Sequence, residues 1–98
     1  MAMHVGIARL ELHLPDSSSL KDKRMVVRSV AQRVRNRFNV AVAEVDTQDV
    51  WRLATLAVVC VSDDRRHTNE VLSKVIQFIE SERLDAEVGD VALELIAV

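Results

Sequence analysis

A nearly continuous apolar run, residues 53–61, is the feature that most constrains how this 98-residue chain can fold. Successive side chains of a strand point to opposite faces of a sheet, and in this run apolar residues occupy both sets of positions. A strand that is apolar on both faces is typical of the centre of a sheet whose two sides are covered. The run therefore predicts a strand at the centre of the sheet. Each of its two faces must be covered, either by another part of this chain or by another subunit.

Strand and helix patterns alternate along the rest of the chain. Period-two patterns predict strands at 3–14, 40–45 and 87–98, and patterns of period 3.6 predict helices at 20–38 and 65–83. Serines 17–19 supply capping oxygens for the first helix, and Asp63 and Asp64 supply them for the second. Gly89 and Asp90 predict a bend or bulge in the last strand.

The resulting order, βαββαβ, predicts an α+β fold of the ferredoxin-like kind in a single domain over residues 1–98. Right-handed crossovers then give an antiparallel four-stranded sheet in the order 4-1-3-2, with two helices on one face. Val59 and Val61 point away from Val58 and Cys60, so the face without helices is apolar as well. An exposed apolar face predicts a homo-oligomer that forms through the open face of the sheet.

The first predicted helix carries a concentrated positive charge. Residues 17–38 contain seven basic side chains and one acidic side chain, a net charge of +6 in a chain whose net charge is −2. Asp22 alone cannot pair with seven cations, and cations in the first turns oppose the helix dipole. One interpretation is a surface for the phosphates of RNA or another polyanion. The predicted contacts are Lys21, Lys23, Arg24, Arg28 and Arg35. The other interpretation is a solvated or internally paired face, whose long side chains cover apolar edges.

A second candidate site lies at the sheet edge where the first helix begins. The topology brings the start of this helix close to the connection between the second and third strands. The predicted members of this edge site are Ser19, Glu44, Asp49 and Trp51. Lysines and arginines of the helix face these acidic residues, which predicts an ion-pair network that fixes the loop. The alternative is a notch for a phosphate or carboxylate, with Trp51 as an exposed anchor.

The sequence contains no recognisable catalytic or cofactor motif. Gly6 and Gly89 are the only glycines, so a glycine-rich phosphate loop is excluded, and the HExxH and GxSxG patterns do not occur. Cys60 is a lone cysteine in an apolar run, which indicates a buried thiol. Glu44 and Asp46 have the spacing of one strand face, but two carboxylates beside a turn are usually solvated. We expect a protein without enzymatic activity, cofactor or metal.

Composition and apolar segments limit the class of protein further. Only 3% of the residues are aromatic, too few for a sheet face that stacks the bases of single-stranded RNA. The first residues lack the pattern of a signal peptide, and no apolar run approaches the roughly 18 residues of a membrane span. These features predict a cytoplasmic protein.

Several short motifs, taken in order, resemble a bacterial family of unknown function, the YlxP-like proteins. They are the run SLKDKR at 19–24, the segment RFNVAVAEV at 37–45, and the spacing of Asp49 and Trp51. The similarity extends over nearly the whole chain. The resemblance implies a small cytoplasmic ferredoxin-like protein whose genes often lie beside those for transcription and translation factors, including ribosome-binding factor A. It implies no catalytic residues.

The basic helix and this resemblance together favour a non-catalytic accessory protein that binds RNA or ribosomal particles. The alternative is a homo-oligomeric module that binds proteins or small anions and has no role with nucleic acid.

Overall fold

The structure is a computed structural model that describes residues 3–82 and 86–98. Its strands and helices follow one another in the order that the sequence predicts. The elements are β1 (His4–His13), α1 (Leu20–Arg37), β2 (Ala41–Val45), β3 (Leu53–Ser62), α2 (Arg65–Ser81) and β4 (Glu87–Ala97). The strands form one antiparallel sheet in the order β2-β3-β1-β4. This order confirms the predicted order 4-1-3-2 and the predicted α+β fold. The predicted end of the second helix, Arg83, lies outside the described residues.

The core lies between the helices and one face of the sheet. α1 packs over β2 and β3, while α2 packs over β1, β3 and β4. The sheet residues beneath the helices have even numbers in β1 and β3, and they are almost fully buried: Ala8, Leu10, Leu12, Ala54, Leu56 and Val58. The helices contribute Val30, Ala31, Val34, Leu72, Val75 and Ile79. Burial of each large apolar side chain contributes about 2 kcal/mol, which far exceeds what surface ion pairs supply.

Gly6 allows α2 to lie directly on β1. A Cβ atom at this position would lie 2.5 Å from Cγ2 of Thr68 and 2.7 Å from Cδ1 of Leu72. Both distances are shorter than carbon atoms tolerate, so a larger residue would push α2 away from the sheet. The close approach lets Thr68 and Leu72 become fully buried.

The opposite face of the sheet has no helix over it in the described part of the chain. It carries the odd-numbered residues of β1 and β3. Near one end this face is apolar, with Val5, Ile7 and Val59 half-buried and Val61 61% exposed. Near the other end it is charged, because Arg9 forms an ion pair across the face with Asp46.

The last strand contains the predicted bulge. Its pairing with β1 steps from Leu10 opposite Val91 to Leu12 opposite Val88, so Glu11 faces the two residues Gly89 and Asp90. Neither helix in residues 3–82 and 86–98 has the length and apolar character that crossing a membrane requires.

Candidate functional site

The basic helix α1 begins with a reciprocal set of capping bonds. Ser19 is the N-cap, and its Oγ accepts a hydrogen bond from the backbone N–H of Asp22 at 3.1 Å. The Asp22 carboxylate in turn accepts from Ser18, at 2.6 Å from Oγ and 3.1 Å from the backbone nitrogen. These bonds from Ser18 hold the pKa of Asp22 below its ordinary value. The ionised carboxylate also places a negative charge where the helix dipole favours one.

Lys23 is fully buried, which corrects its prediction as a polyanion contact. Its ammonium lies 2.7 Å from a carboxylate oxygen of Glu44, whose side chain is 15% exposed. The same ammonium donates to the carbonyl oxygens of Thr47, Gln48 and Leu53. A buried ammonium has three N–H donors, and these acceptors surround it. Lys23 therefore fastens α1 to the connection between β2 and β3 and has no surface available for a ligand.

Thr47 completes this buried cluster, and sequence analysis did not single it out. Its hydroxyl donates towards Oε2 of Glu44 at 3.1 Å and accepts from the backbone N–H of Thr55 at 2.7 Å. The chain reaches this position through Asp46, which has a φ of 64°. Aspartate tolerates this left-handed conformation better than most residues do. The only sequence signal was the polar run 46–49, which predicts a turn but does not indicate which side chain folds inward.

The predicted edge site does not assemble into one pocket. Ser19 serves as the helix cap, and Glu44 is bonded to Lys23 and Thr47. Asp49 and Trp51 lie in the exposed connection, where 54% of Trp51 is accessible. In residues 3–82 and 86–98, no hydrogen bond or ion pair joins Ser19, Asp49 or Trp51 to Glu44. The contacts observed here are those of an internal network that fixes the loop.

The remaining basic side chains of α1 lie in different surroundings. Lys21, Arg24 and Arg28 are exposed, and none forms an ion pair with an acidic residue of the described ranges. Arg35 is exposed too, but its guanidinium donates to the carbonyl oxygen of Val42 at 2.7 Å. Two further arginines face α2 and its end: Arg33 pairs with Glu82 at 3.3 Å, and Arg37 lies 5.1 Å from the ring centre of Phe78.

The exposed cations form one stripe along α1. Positions 21, 24, 28 and 35 fall within about 60° of one another around the helix axis and extend over about 21 Å. Beside the stripe, a cleft of about 480 Å³ separates α1 from β2 and is lined in part by Arg28, Arg35 and Glu44. We call Lys21, Arg24, Arg28 and Arg35 the basic stripe.

A metal site and a reactive thiol each have requirements that can be set against the described residues. No group of three or more histidine, cysteine, aspartate or glutamate side chains lies close enough to hold a metal in this part of the chain. Cys60 is buried, and its thiol donates towards the carbonyl oxygen of Thr68 at 3.7 Å. Burial raises the pKa of this thiol, so little reactive thiolate forms at neutral pH.

Comparison with known proteins identifies relatives but no activity. The family model described as a protein of unknown function, DUF503, matches residues 5–93. The chain is also 38% identical to the uncharacterized protein YlxP of Bacillus subtilis (strain 168) over 77 residues, which cover 79% of this chain and 84% of that protein.

Proposed function

We propose that this protein, a YlxP-like protein, is a non-catalytic cytoplasmic accessory protein that binds RNA or ribosomal particles. The chain belongs to the DUF503 family, whose description assigns no function. The observation that carries the proposal is the basic stripe on α1. Three of its cations, Lys21, Arg24 and Arg28, lack an ion-pair partner among the described residues. Unpaired cations in a row attract phosphates at little desolvation cost.

The chemistry of the stripe favours recognition of the RNA backbone over recognition of bases. Phosphate contacts give affinity without reading the base sequence, and one guanidinium group can donate to two oxygens of a phosphate at once. The described surface of α1 presents no aromatic ring for stacking on this side, since Phe38 packs edge-on against Phe78. We therefore expect weak sequence preference and a steep dependence on salt, with three or four phosphates neutralised and a slope of about −2 to −4 in log affinity against log salt.

The test is a pair of double charge reversals that change the net charge equally. Arg24→Glu with Arg28→Glu removes the centre of the basic stripe, while Arg65→Glu with Arg66→Glu makes the same change at the start of α2. We expect the first variant to bind structured bacterial RNA and small ribosomal subunits roughly 10- to 100-fold more weakly than the unmodified protein. The control should retain most of its affinity, measured by filter binding across a salt series.

Stability measurements separate lost contacts from lost folding. Because Arg24 and Arg28 are exposed and unpaired within the described ranges, their reversal should change the free energy of unfolding by no more than about 0.5 kcal/mol. Equal losses of RNA affinity in both double variants would indicate only a net-charge effect. Absence of binding at low salt would contradict the proposal.

A second candidate function is a homo-oligomeric protein-interaction module, favoured by the apolar end of the open sheet face. Val61 is 61% exposed there beside the half-buried Val5 and Val59. An exposed apolar area of this kind commonly marks an interface. If a second copy covers this face, Val61→Lys should reduce the mass measured by sedimentation equilibrium to that of the monomer. A wild-type protein that remains monomeric at high concentration would contradict this candidate.

A further inference from the structure

The two edges of the sheet differ in how their backbone groups are satisfied. In an antiparallel pair, alternate residues turn their N–H and C=O groups towards the partner strand and the residues between them turn these groups away. At the β2 edge, the outward carbonyl of Val42 accepts from Arg35 at 2.7 Å, and that of Glu44 accepts from the Gln48 amide at 3.4 Å. Side chains thus occupy two outward carbonyl groups of this edge, which makes it a poorer template for another strand.

The orientation of the backbone in β4 follows from one reciprocal pair of bonds. Met3 and Val98 exchange both hydrogen bonds, at 3.0 and 2.8 Å. The pairing of β4 with β1 shows no shift between Ala97 and Val91, so every second residue counted from Val98 also bonds to β1: Ile96, Glu94 and Ala92. The alternate residues point their backbone groups away from the sheet. The outward-facing residues along this register are Val91, Leu93, Leu95 and Ala97. Within residues 3–82 and 86–98, no side chain or backbone group bonds to this outer edge.

The side chains of β4 are also unusually apolar for a free edge. Val91 and Leu93 share the face of the sheet that bears the helices, yet α2 leaves them 40% and 46% exposed. On the other face Ile96 is 38% exposed. Proteins usually protect such an edge with lysine, proline or a covering loop, because an unpaired apolar strand is a template for another strand.

We infer that β4 pairs with β4 of a second copy of this chain, in antiparallel orientation about a two-fold axis at Leu93. This inference does not depend on RNA binding. In this register Leu93 faces its own copy and Val91 faces Leu95, so the apolar side chains meet. Glu94 faces Ala92, which keeps like charges from lying directly opposite each other.

The neighbouring registers are less favourable. An axis at Glu94 would oppose the two copies of that carboxylate, and an axis at Ala92 would oppose Glu94 with Asp90. Like charges directly opposite in an antiparallel pair are destabilising. The axis at Leu93 also allows Val91, Leu93 and Leu95 of each copy to pair all their outward backbone groups. A second copy is the occupant that this self-complementary spacing fits, because a two-fold interface presents the same surface on both sides.

The two-fold pairing would join two four-stranded sheets into one sheet of eight strands. Residues opposite each other in antiparallel strands share a face, so the helices of both copies lie on the same side. Neighbouring strands are about 4.8 Å apart, which places the β1 strands of the two copies about 14 Å from each other. This spacing leaves room for the two α2 helices, with Val91 and Leu93 filling the space beneath them.

Matched lysine substitutions on β4 and on the open face test the position of the interface. Leu93→Lys places two ammonium groups opposite each other at the axis and should weaken dimerisation at least about 10-fold. Val61→Lys adds the same charge to the open face, away from β4, and should leave dimerisation unchanged. The measurement is sedimentation equilibrium. A monomeric wild-type protein, or dissociation by Val61→Lys alone, would overturn the inference.

Introduced thiols test the register independently. With the axis at Leu93, position 92 of one copy faces position 94 of the other as a non-hydrogen-bonded pair, where Cα atoms lie about 4.5 Å apart. Ala92→Cys combined with Glu94→Cys should give a covalent dimer under mild oxidation, and each single variant should give far less. The crosslink should disappear when Leu93→Lys is added. Equal crosslinking by the single variants, or none by the double variant, would overturn this register.

Discussion

The buried ammonium of Lys23 stabilises the loop between β2 and β3, because its three N–H groups are shared among four acceptors. The carboxylate of Glu44 and the carbonyl oxygen of Thr47 are the near ones, and the carbonyl oxygens of Gln48 and Leu53 lie at 3.4 Å. Lys23→Met keeps a side chain of similar size but removes the cation and its N–H donors, so that, within the described part of the chain, Glu44 retains only the hydrogen bond from Thr47. Removing one partner of a buried ion pair typically costs 3–5 kcal/mol, and we expect about 3 kcal/mol here because Glu44 is slightly exposed. Urea denaturation would measure the change in the free energy of unfolding.

Two further variants make this prediction specific. Arg24→Met removes an exposed cation of the same helix and should change the free energy of unfolding by about 0.5 kcal/mol or less. Adding Glu44→Gln to Lys23→Met removes the unpaired buried charge and should recover roughly 1 kcal/mol of the loss. Equal effects of Lys23→Met and Arg24→Met would mean that the buried cluster contributes nothing to stability.

The role of Lys23 shows where prediction from the sequence alone fails. Helical periodicity places Lys23 at the flank of the apolar stripe, the position from which a long side chain usually reaches solvent. Its acceptors come from residues 21 to 30 positions later in the chain, and three of them are backbone carbonyls. A pattern of residue types carries no signal for carbonyl oxygens. The sequence therefore predicted that Lys23 faces Glu44, but not that the Lys23 side chain is fully buried.

At the scale of elements, local patterns in the sequence predicted the central strand and the bulge. Residues 53–61 are apolar at both odd and even positions, which correctly predicted that β3 is an inner strand and that both of its faces are apolar. The pair Gly89 and Asp90 correctly predicted the bulge in β4. Side-chain periodicity determines which face a residue occupies, since the strand period is two. The end of the second helix, predicted at Arg83, falls outside the described residues.

The difference between the two edge strands could not be predicted in the same way. Both β2 and β4 alternate side chains between two faces, and that alternation does not determine which residues direct their backbone groups outward. Which residues do so is known only from the hydrogen bonds that Val42, Glu44 and Met3 make in the structure. Arg35 illustrates the consequence: the sequence presents it as one more cation of the basic stripe, whereas its guanidinium also binds an outward carbonyl of the β2 edge.

At the scale of the whole molecule, positive charge and the free edge lie at opposite sides of the sheet. The basic stripe lies on α1, over β2 and β3, and the free edge is that of β4. Pairing of two β4 strands would therefore place the two basic stripes about six strand spacings apart on the same side, a distance of about 30 Å. Two linked binding surfaces raise the affinity for a ligand that reaches both of them.

This arrangement predicts that dimerisation strengthens the binding of long RNA but not of short RNA. For a structured RNA longer than about 30 Å, the Leu93→Lys variant should bind roughly 10²-fold more weakly than the wild-type protein, because it engages one basic stripe at a time. The added lysine alone would favour RNA binding, so a loss of affinity would reflect lost valency. For an RNA too short to reach both stripes, the two proteins should bind equally well. Filter binding at one fixed salt concentration, with both RNA lengths, would measure the difference. The protein concentrations should lie above the dimer Kd of the wild-type protein and below that of the Leu93→Lys variant. An equal effect of Leu93→Lys on both lengths would contradict binding by two stripes, while leaving the mass and crosslinking tests of the dimer unaffected.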